Sequence, residues 1–467
     1  MKISFHGATR TVTGSKHLLH LDNGQKLLLD CGLFQGLGKE TDVLNRDFGF
    51  IPQEIDAVVL SHAHIDHSGM LPGLVKEGYL NKIFCTPATK DLATILLEDS
   101  AGIQANEIKY QNKRRKQEGK TLLEPLYSET DAMAAAALLE PRPYNEWFKV
   151  LDGVECMYTE AGHIIGSACV NLRITHQGNV THLAFSGDVG RYRDAILKSP
   201  EPFPQADYII MESTYGNSLH DDVFSSVDTL LNWVVDTCLK KKGKLIIPAF
   251  SVGRTQELLY FLNQLDNENR LPPIPYYVDS PLSYEATQVL KSHPGGFNKT
   301  VRQIMETDHD PFHFKGLHFI RSAEESKQLN FSSYPCVIIS ASGMAEAGRV
   351  KHHISNNIEN SRNTILLVGY CEPHSLGGRL KNHPAEVSIF GIPHEVHATI
   401  GEMRSMSAHG DYEDLMQWLS CQDLNAVKEM FLVHGEYEVQ QQFAQRLERK
   451  GLKQVTIPSR HSMHHID

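Results

Sequence analysis

The sequence predicts an α/β protein in which a second, parallel-sheet domain interrupts the first. Three observations predict it. Short apolar, β-branched runs recur from the N-terminus onward, each closed by glycine, asparagine or aspartate. One of them, Ala57-Val58-Val59-Leu60, leads directly into His62-Ala63-His64-Ile65-Asp66-His67, a dense group of ligand-type side chains at a strand end. Between residues 213 and 385 the pattern changes to apolar strands, polar loops and helical stretches in alternation, the pattern of a parallel sheet.

A chain of 467 residues has room for two or three domains, each with a sizeable core. The net charge of −11 argues against binding nucleic acid over the whole surface, so such a substrate would need a local basic patch. The best basic run lies at residues 109–120, with Lys113, Arg114, Arg115 and Lys116, and it reads as a solvated helix face. No apolar run approaches the length of a membrane span. The N-terminus enters a strand at once (Lys2-Ile3-Ser4-Phe5), so neither a signal peptide nor a membrane partner is expected. Eight scattered cysteines without a CxxC pair fit structural thiols in a reducing cytoplasm. A homo-oligomer is compatible with all of this.

In chain order, Lys2–Phe5, Lys16–Leu21 and Lys26–Asp30 read as strands, with Asn23-Gly24 as a hairpin turn. Asp30 follows Leu27-Leu28-Leu29 at a strand end. In the extended chain, residues two apart face the same side, so His62 and His64 can grip one ion together. Where the chain turns at Ser68-Gly69, Asp66 and His67 can reach a second position. Imidazoles and carboxylates so grouped suit zinc. Helix formers dominate residues 90–118 and 128–139. His163 then sits in the glycine-flanked loop Ala161-Gly162-His163-Ile164-Ile165-Gly166-Ser167, and Asp188 closes the strand Leu183-Ala184-Phe185.

Strands ending at Glu212 and then over 244–250, 275–279, 336–340 and 364–370 follow, and strand patterning returns at 387–390 and 395–403. The loops after the inserted strands carry polar residues and glycines, where doubly wound sheets place ligand contacts. Arg254 opens a helix after a strand, where a guanidinium and backbone N–H groups could hold a phosphate. Ser340, Ser342, Gly343 and Arg349 could form a second such cradle, and Arg379 closes the loop His374-Ser375-Leu376-Gly377-Gly378.

The spacing H-x-H-x-D-H resembles the metallo-β-lactamase superfamily. Glu212 in Glu-Ser-Thr-Tyr-Gly, His409 in Ser-Ala-His-Gly-Asp and His434 in Val-His-Gly-Glu, bracketing an insert of the right size, are similar to its β-CASP branch of nucleases. The resemblance implies an αββα sandwich in residues 1–212 and 386–467, with the β-CASP domain inserted over residues 213–385. It implies two divalent metals, with zinc expected. His62, His64 and His163 would hold the first, Asp66, His67 and His434 the second, and Asp188 would be shared. Asp30 would orient ligand histidines from behind. His409, partnered by Glu212, would be the general acid, beside Asp188 and Asp66 in the catalytic set.

The activity implied is a two-metal hydroxide mechanism on RNA phosphodiester bonds, giving 5′-phosphate and 3′-hydroxyl ends. A histidine at the third of these motifs marks RNA-acting members of the branch. The alternatives are a small-molecule (thio)ester or lactone hydrolase on the same core, and a non-catalytic scaffold. The departure at His374-Ser375, where many relatives carry Gly-Thr, bears on the local substrate contact.

Overall fold

The computed structural model describes residues 1–38, 40–220, 226–369 and 371–466. The chain lays down β1 (Lys2–Gly7), β2 (Lys16–His20), β3 (Lys26–Leu29), β4 (Ala57–Val59), β5 (Ile83–Cys85) and β6 (Leu139–Pro141). It continues with β7 (Phe148–Leu151), β8 (Val154–Glu160), β9 (Ala168–His176), β10 (Asn179–Phe185) and β11 (Tyr208–Glu212). Eight strands follow: β12 (Lys244–Pro248), β13 (Tyr276–Asp279), β14 (Leu317–Phe319), β15 (Cys336–Ser340), β16 (Thr364–Val368), β17 (Glu386–Ile389), β18 (Ile392–Glu395) and β19 (Thr399–Met403). The last three are β20 (Glu429–Val433), β21 (Val455–Thr456) and β22 (Met463–His465).

The chain divides into two units. The first comprises Met1–Tyr192, Ser199–Leu219 and His409–Asp467; the second comprises Arg193–Lys198 and His220–Ala408. Two seven-stranded sheets build the first unit, in the orders β22-β1-β2-β3-β4-β5-β6 and β21-β20-β11-β10-β9-β8-β7. Alternation along the strands decides how they pack. Ile3, Phe5, Leu27 and Leu29 of one sheet meet Val170, Leu172, Phe185, Ile210 and Phe431 of the other in one core. The intervening residues of the second sheet, Ala184, Ile209, Met211, Met430 and Leu432, face the opposite way. There they pack on Trp418 and on Phe443 and Leu447 of the helix Tyr437–Arg449. The first sheet is covered by the helices Leu71–Lys76 and Pro87–Gln117, whose buried residues include Leu74, Leu92 and Leu97. This is the expected helix–sheet–sheet–helix sandwich.

The second unit holds a six-stranded sheet, β14-β13-β15-β12-β16-β19, in which every pairing is parallel. A sheet covered on both faces by its crossovers should read as continuous apolar runs. β12, β15 and β16 are buried at every residue. Two features depart from the sequence reading. The chain does not leave this unit at residue 386: β17 and β18 form a hairpin, and β19 then pairs in parallel with β16. β14, three residues long, carried too little pattern to be read. The strand expected over 364–370 ends at Tyr370, which lies outside the described residues. All eight cysteines are free and seven of them buried, as structural thiols should be.

Glycine is required where two segments of the first unit meet at the backbone. A Cβ on Gly32 would stand 1.6 Å from the carbonyl oxygen of Asp66, and one on Gly190 would stand 1.9 Å from that of Gly162. Neither contact can be relieved by moving a side chain. Gly32→Ala should therefore lower stability by about 1–3 kcal/mol, the usual cost of overpacking. Gly102→Ala, in a helix with only Glu129 Oε1 at 3.7 Å, should be neutral or stabilising by up to ~1 kcal/mol. Chemical denaturation checks both, and equal midpoints for the two variants would contradict the packing argument.

Candidate active site

The topology of the first unit sends several strand ends to one place. β10, β11 and β20 are neighbouring parallel strands; Glu212 is the last residue of β11, and Asp188 and His434 stand just past the ends of β10 and β20. β3 and β4 are parallel as well and deliver Asp30 and His62. Asp30 and His434 both adopt left-handed backbone, with φ of 57° and 50°, a conformation that costs a non-glycine residue free energy. Each such residue turns its side chain off a strand end at once.

His62 and His64 lie in extended chain, with His64 at the start of the short helix Ile65–Ser68 that carries Asp66 and His67. The loop from Ala161 to Ser167 brings in His163. His64 Nδ1 lies 3.1 Å from both His62 Nε2 and His163 Nε2, and each of those Nε2 atoms is 3.4 Å from Asp188 Oδ2. Donors held ~2.0–2.1 Å from one tetrahedral ion stand ~3.3–3.4 Å apart, so these four atoms fit a single metal. Burial lowers the pKa of His62 well below the imidazole range and that of His64 to about 4. Both rings are therefore neutral and have lone pairs to donate.

Asp66, His67 and His434 form a second group. His434 Nε2 is 3.3 Å from Asp66 Oδ2, and Asp188 Oδ1 is 3.2 Å from His67 Nε2 and 3.6 Å from His434 Nδ1. His67 Nδ1 lies 2.6 Å from Asp30 Oδ2, and Asp30 also accepts from Ser61 N at 2.8 Å and Ser61 Oγ at 2.9 Å. With Nδ1–H donated to Asp30, Nε2 faces Asp188 Oδ1. Both atoms are buried, and neither completes a hydrogen bond. Two lone pairs so placed require a positive charge between them, a proton or a metal. Ligand atoms of each group lie within 4.8 Å of one another, so the cluster is able to bind divalent metal.

Glu212 is fully buried. Its Oε1 accepts from Val189 N at 2.7 Å and from His409 Nδ1 at 3.1 Å, and its Oε2 accepts from Thr214 N at 3.2 Å. Burial alone would lower the His409 pKa. The carboxylates of Glu212 and Asp188 outweigh it and hold the ring at about 9. Sequence reasoning missed two residues that act here. Ser61 lies 3.1 Å from His62 Nδ1 and ties that ring to Asp30. Thr214 Oγ1 lies 3.1 Å from His434 Nδ1 and donates to the His434 carbonyl. Ser61 adjoins His62 and Thr214 lies in the Glu-Ser-Thr-Tyr-Gly stretch two residues after Glu212, and that proximity is the signal the sequence offers.

The residues expected to hold phosphate lie in the second unit. Arg254 is buried and ion-paired with Glu257, one turn along its helix. The guanidinium of Arg349 donates to Asp279 Oδ1 at 2.6 Å and to the carbonyl of Arg321 at 2.7 Å. Ser340 Oγ donates to the Asp279 carbonyl, and Ser342 Oγ lies 3.4 Å from the Ala347 carbonyl. Gly343 lies under the ring of Phe250, which a Cβ would strike at 2.6 Å. Arg379, by contrast, donates Nη1 to the Ser388 carbonyl at 3.3 Å and meets no carboxylate among the described residues. Two of the three arginines are thus already neutralised by partners of their own.

Three family models match the chain. They are the Metallo-beta-lactamase superfamily over residues 17–248, the Beta-Casp domain over 255–380, and the Zn-dependent metallo-hydrolase RNA specificity domain over 393–458. The ribonuclease TTHA0252 of Thermus thermophilus is 36% identical over 441 residues, 94% of each chain. The chain belongs to the Beta-Casp branch of the metallo-β-lactamase superfamily. Other Beta-Casp relatives include the transcription termination factor FttA of Methanosarcina mazei, 28% identical over 93% of this chain and 67% of that protein. The cleavage and polyadenylation specificity factor 73 of Drosophila melanogaster is 27% identical over 91% of this chain and 59% of that protein.

The Beta-Casp site makes a pH prediction. Against a large opposing effect of burial, the carboxylates of Asp188 and Asp30 hold the His67 pKa well above the imidazole range. A metal taking Nε2 must therefore displace a proton at neutral pH, and affinity should rise with pH until His67 titrates. Titration calorimetry in buffers of different ionisation enthalpy should show proton release on zinc uptake. Asp30→Asn should release fewer protons and bind roughly 10–100-fold more weakly. Uptake without proton release, unchanged in Asp30→Asn, would contradict the arrangement.

Proposed function

We propose that the chain is a metal-dependent ribonuclease that hydrolyses RNA phosphodiester bonds and leaves 5′-phosphate and 3′-hydroxyl ends. The observation that carries this is one buried carboxylate, Asp188, shared by two donor sets, with a charged histidine 3.9 Å away. Relatives named as a ribonuclease and a cleavage factor support RNA as the substrate. No described helix is long and apolar enough to cross a membrane, which is compatible with work in the cytoplasm.

His62, His64, His163 and Asp188 would hold one metal, and Asp66, His67, His434 and Asp188 a second, both zinc. When bound, such a pair supplies a hydroxide nucleophile at neutral pH and neutralises charge gathering at phosphorus. The chain's own residues do the rest. Asp30 and Ser61 fix the rings of His67 and His62. Glu212 accepts from His409 Nδ1 and keeps the ring protonated, so the transferable proton is the one on Nε2. That proton goes to the departing 3′-oxygen. Arg379 is the arginine best suited to a backbone phosphate, whereas Arg254 and Arg349 hold their loops in shape.

A second reading has its own support. Asp188, Glu212, His409 and His434 also bring ligand atoms within 4.8 Å of one another, which would make His409 a ligand. Substitution separates the two. His409→Ala should keep both metals and slow cleavage by roughly 10²–10⁴-fold. His434→Ala should lose metal and activity together. On a substrate whose departing 3′-oxygen is replaced by sulfur, no proton is needed, so His409→Ala should recover much of its rate and His434→Ala should not. Elemental analysis with both substrates checks this. Metal loss in His409→Ala, or no selective rescue, would remove His409 from the acid role.

A further inference from the structure

The helix Pro87–Gln117 packs along only part of its length. Its buried residues run from Ala88 to Ala101, and none follows. Residues 102–117 continue for roughly 24 Å at ~1.5 Å per residue, with Ile103 and Tyr110 exposed. The returning chain holds this half in place. Asn112 Nδ2 donates to the Leu123 carbonyl, Leu123 N donates to Asn112 Oδ1, and Arg115 Nε donates to the Thr121 carbonyl.

Beyond Glu107 the charge on this half is one-sided. Residues 109–120 contain Lys109, Lys113, Arg114, Arg115, Lys116 and Lys120 against a single carboxylate, Glu118, in a chain whose net charge is −11. Glu118 is taken up by Arg114 and Lys120, each at 2.8 Å. Lys109, Lys113 and Lys116 stand at i, i+4 and i+7, on one face. All three are exposed, and no carboxylate pairs with them among the described residues. Favourable placement at a helix C-terminus accounts for cations in the last turn but not for Lys109 or Lys113. The solvated face read from the sequence thus becomes a projecting, unneutralised row of ammonium groups.

We propose that this row is a second RNA-binding site, which holds the substrate's phosphate backbone away from the metal centre; the proposal rests on the ribonuclease reading above. Lysine ammonium groups are point charges that meet phosphate without reading bases, so binding here should be salt-dependent and indifferent to sequence. The other end of the helix fixes the distance. Thr86 and Thr89 both donate their hydroxyls to the Gly166 carbonyl, in the loop of His163. Lys109 lies roughly 30 Å further along the helix, at ~1.5 Å per residue. Only a long RNA could occupy both places.

The test uses the full chain with Lys109→Gln, Lys113→Gln and Lys116→Gln combined, all surface changes. A control combines Lys2→Gln, Lys149→Gln and Lys453→Gln, which are exposed and change the net charge equally. Binding of a long RNA is measured across a salt series, and cleavage is measured on the long RNA and on a short oligomer. The basic-face variant should flatten the slope of log K against log salt by about 2, for three contacts at ~0.7 each on a single strand. Its KM for long RNA should rise with kcat unchanged, and the short oligomer should be cut at the normal rate. The control should match the unaltered protein. Equal behaviour of the two variants, or weaker binding with an unchanged slope, would overturn the proposal. So would lysine-dependent binding to vesicles containing anionic phospholipid with no effect on RNA. If the unaltered protein cuts neither RNA, the ribonuclease reading fails, while the salt series still decides whether this face binds RNA.

Discussion

A carboxylate at 1% exposure must be compensated, and Asp188 is the one on which the histidines of the first unit converge. Taking an anion out of water costs several kcal/mol unless positive charge is supplied within a few ångström. Five histidines supply the means. Two address one oxygen, two address the other, and His409 stands further off. Opposed by burial, the histidine charges still keep Asp188 ionised well below the carboxylate range. An ionised, buried carboxylate with one oxygen facing each group of histidines is a setting that metal completes.

The rest of the first unit serves that constraint. Parallel pairing of β10, β11 and β20 aligns three strand ends, so Asp188, Glu212 and His434 arrive together although they lie far apart in the chain. Gly190 lets the segment after Asp188 lie directly against the segment before His163. Tolerances are small there because backbone meets backbone. The polar residues behind the cluster, Asp30, Ser61, Thr214 and Glu212, set ring orientation and tautomer, which decide whether a histidine ligates or carries a proton.

The sequence made the local part of this legible. His62, His64, Asp66 and His67 sit within one strand end and turn, where period-two geometry and ligand chemistry suffice. The roles of His409 and His434 came from resemblance, because nothing local links them to partners about 200 and 370 residues away. β19 reads as a strand in the sequence, but the sheet it joins does not, because pairing with β16 is a tertiary fact. The arginines show the same limit from another side. Arg254 has its neutralising glutamate three residues on, a spacing visible in sequence, but Arg349 meets Asp279 across 70 residues. Residue type permitted phosphate binding at both, and the partners came only with the fold.

The central claim is that Asp188 is shared between two metals. Anomalous diffraction at the zinc edge from crystals of the zinc-loaded protein tests it most directly. Two peaks are expected, one among His62, His64 and His163 and one among Asp66, His67 and His434, with Asp188 giving an oxygen to each and His409 ligating neither. A single peak, or a second peak held by His409 and Glu212 in place of Asp66 and His67, would contradict it.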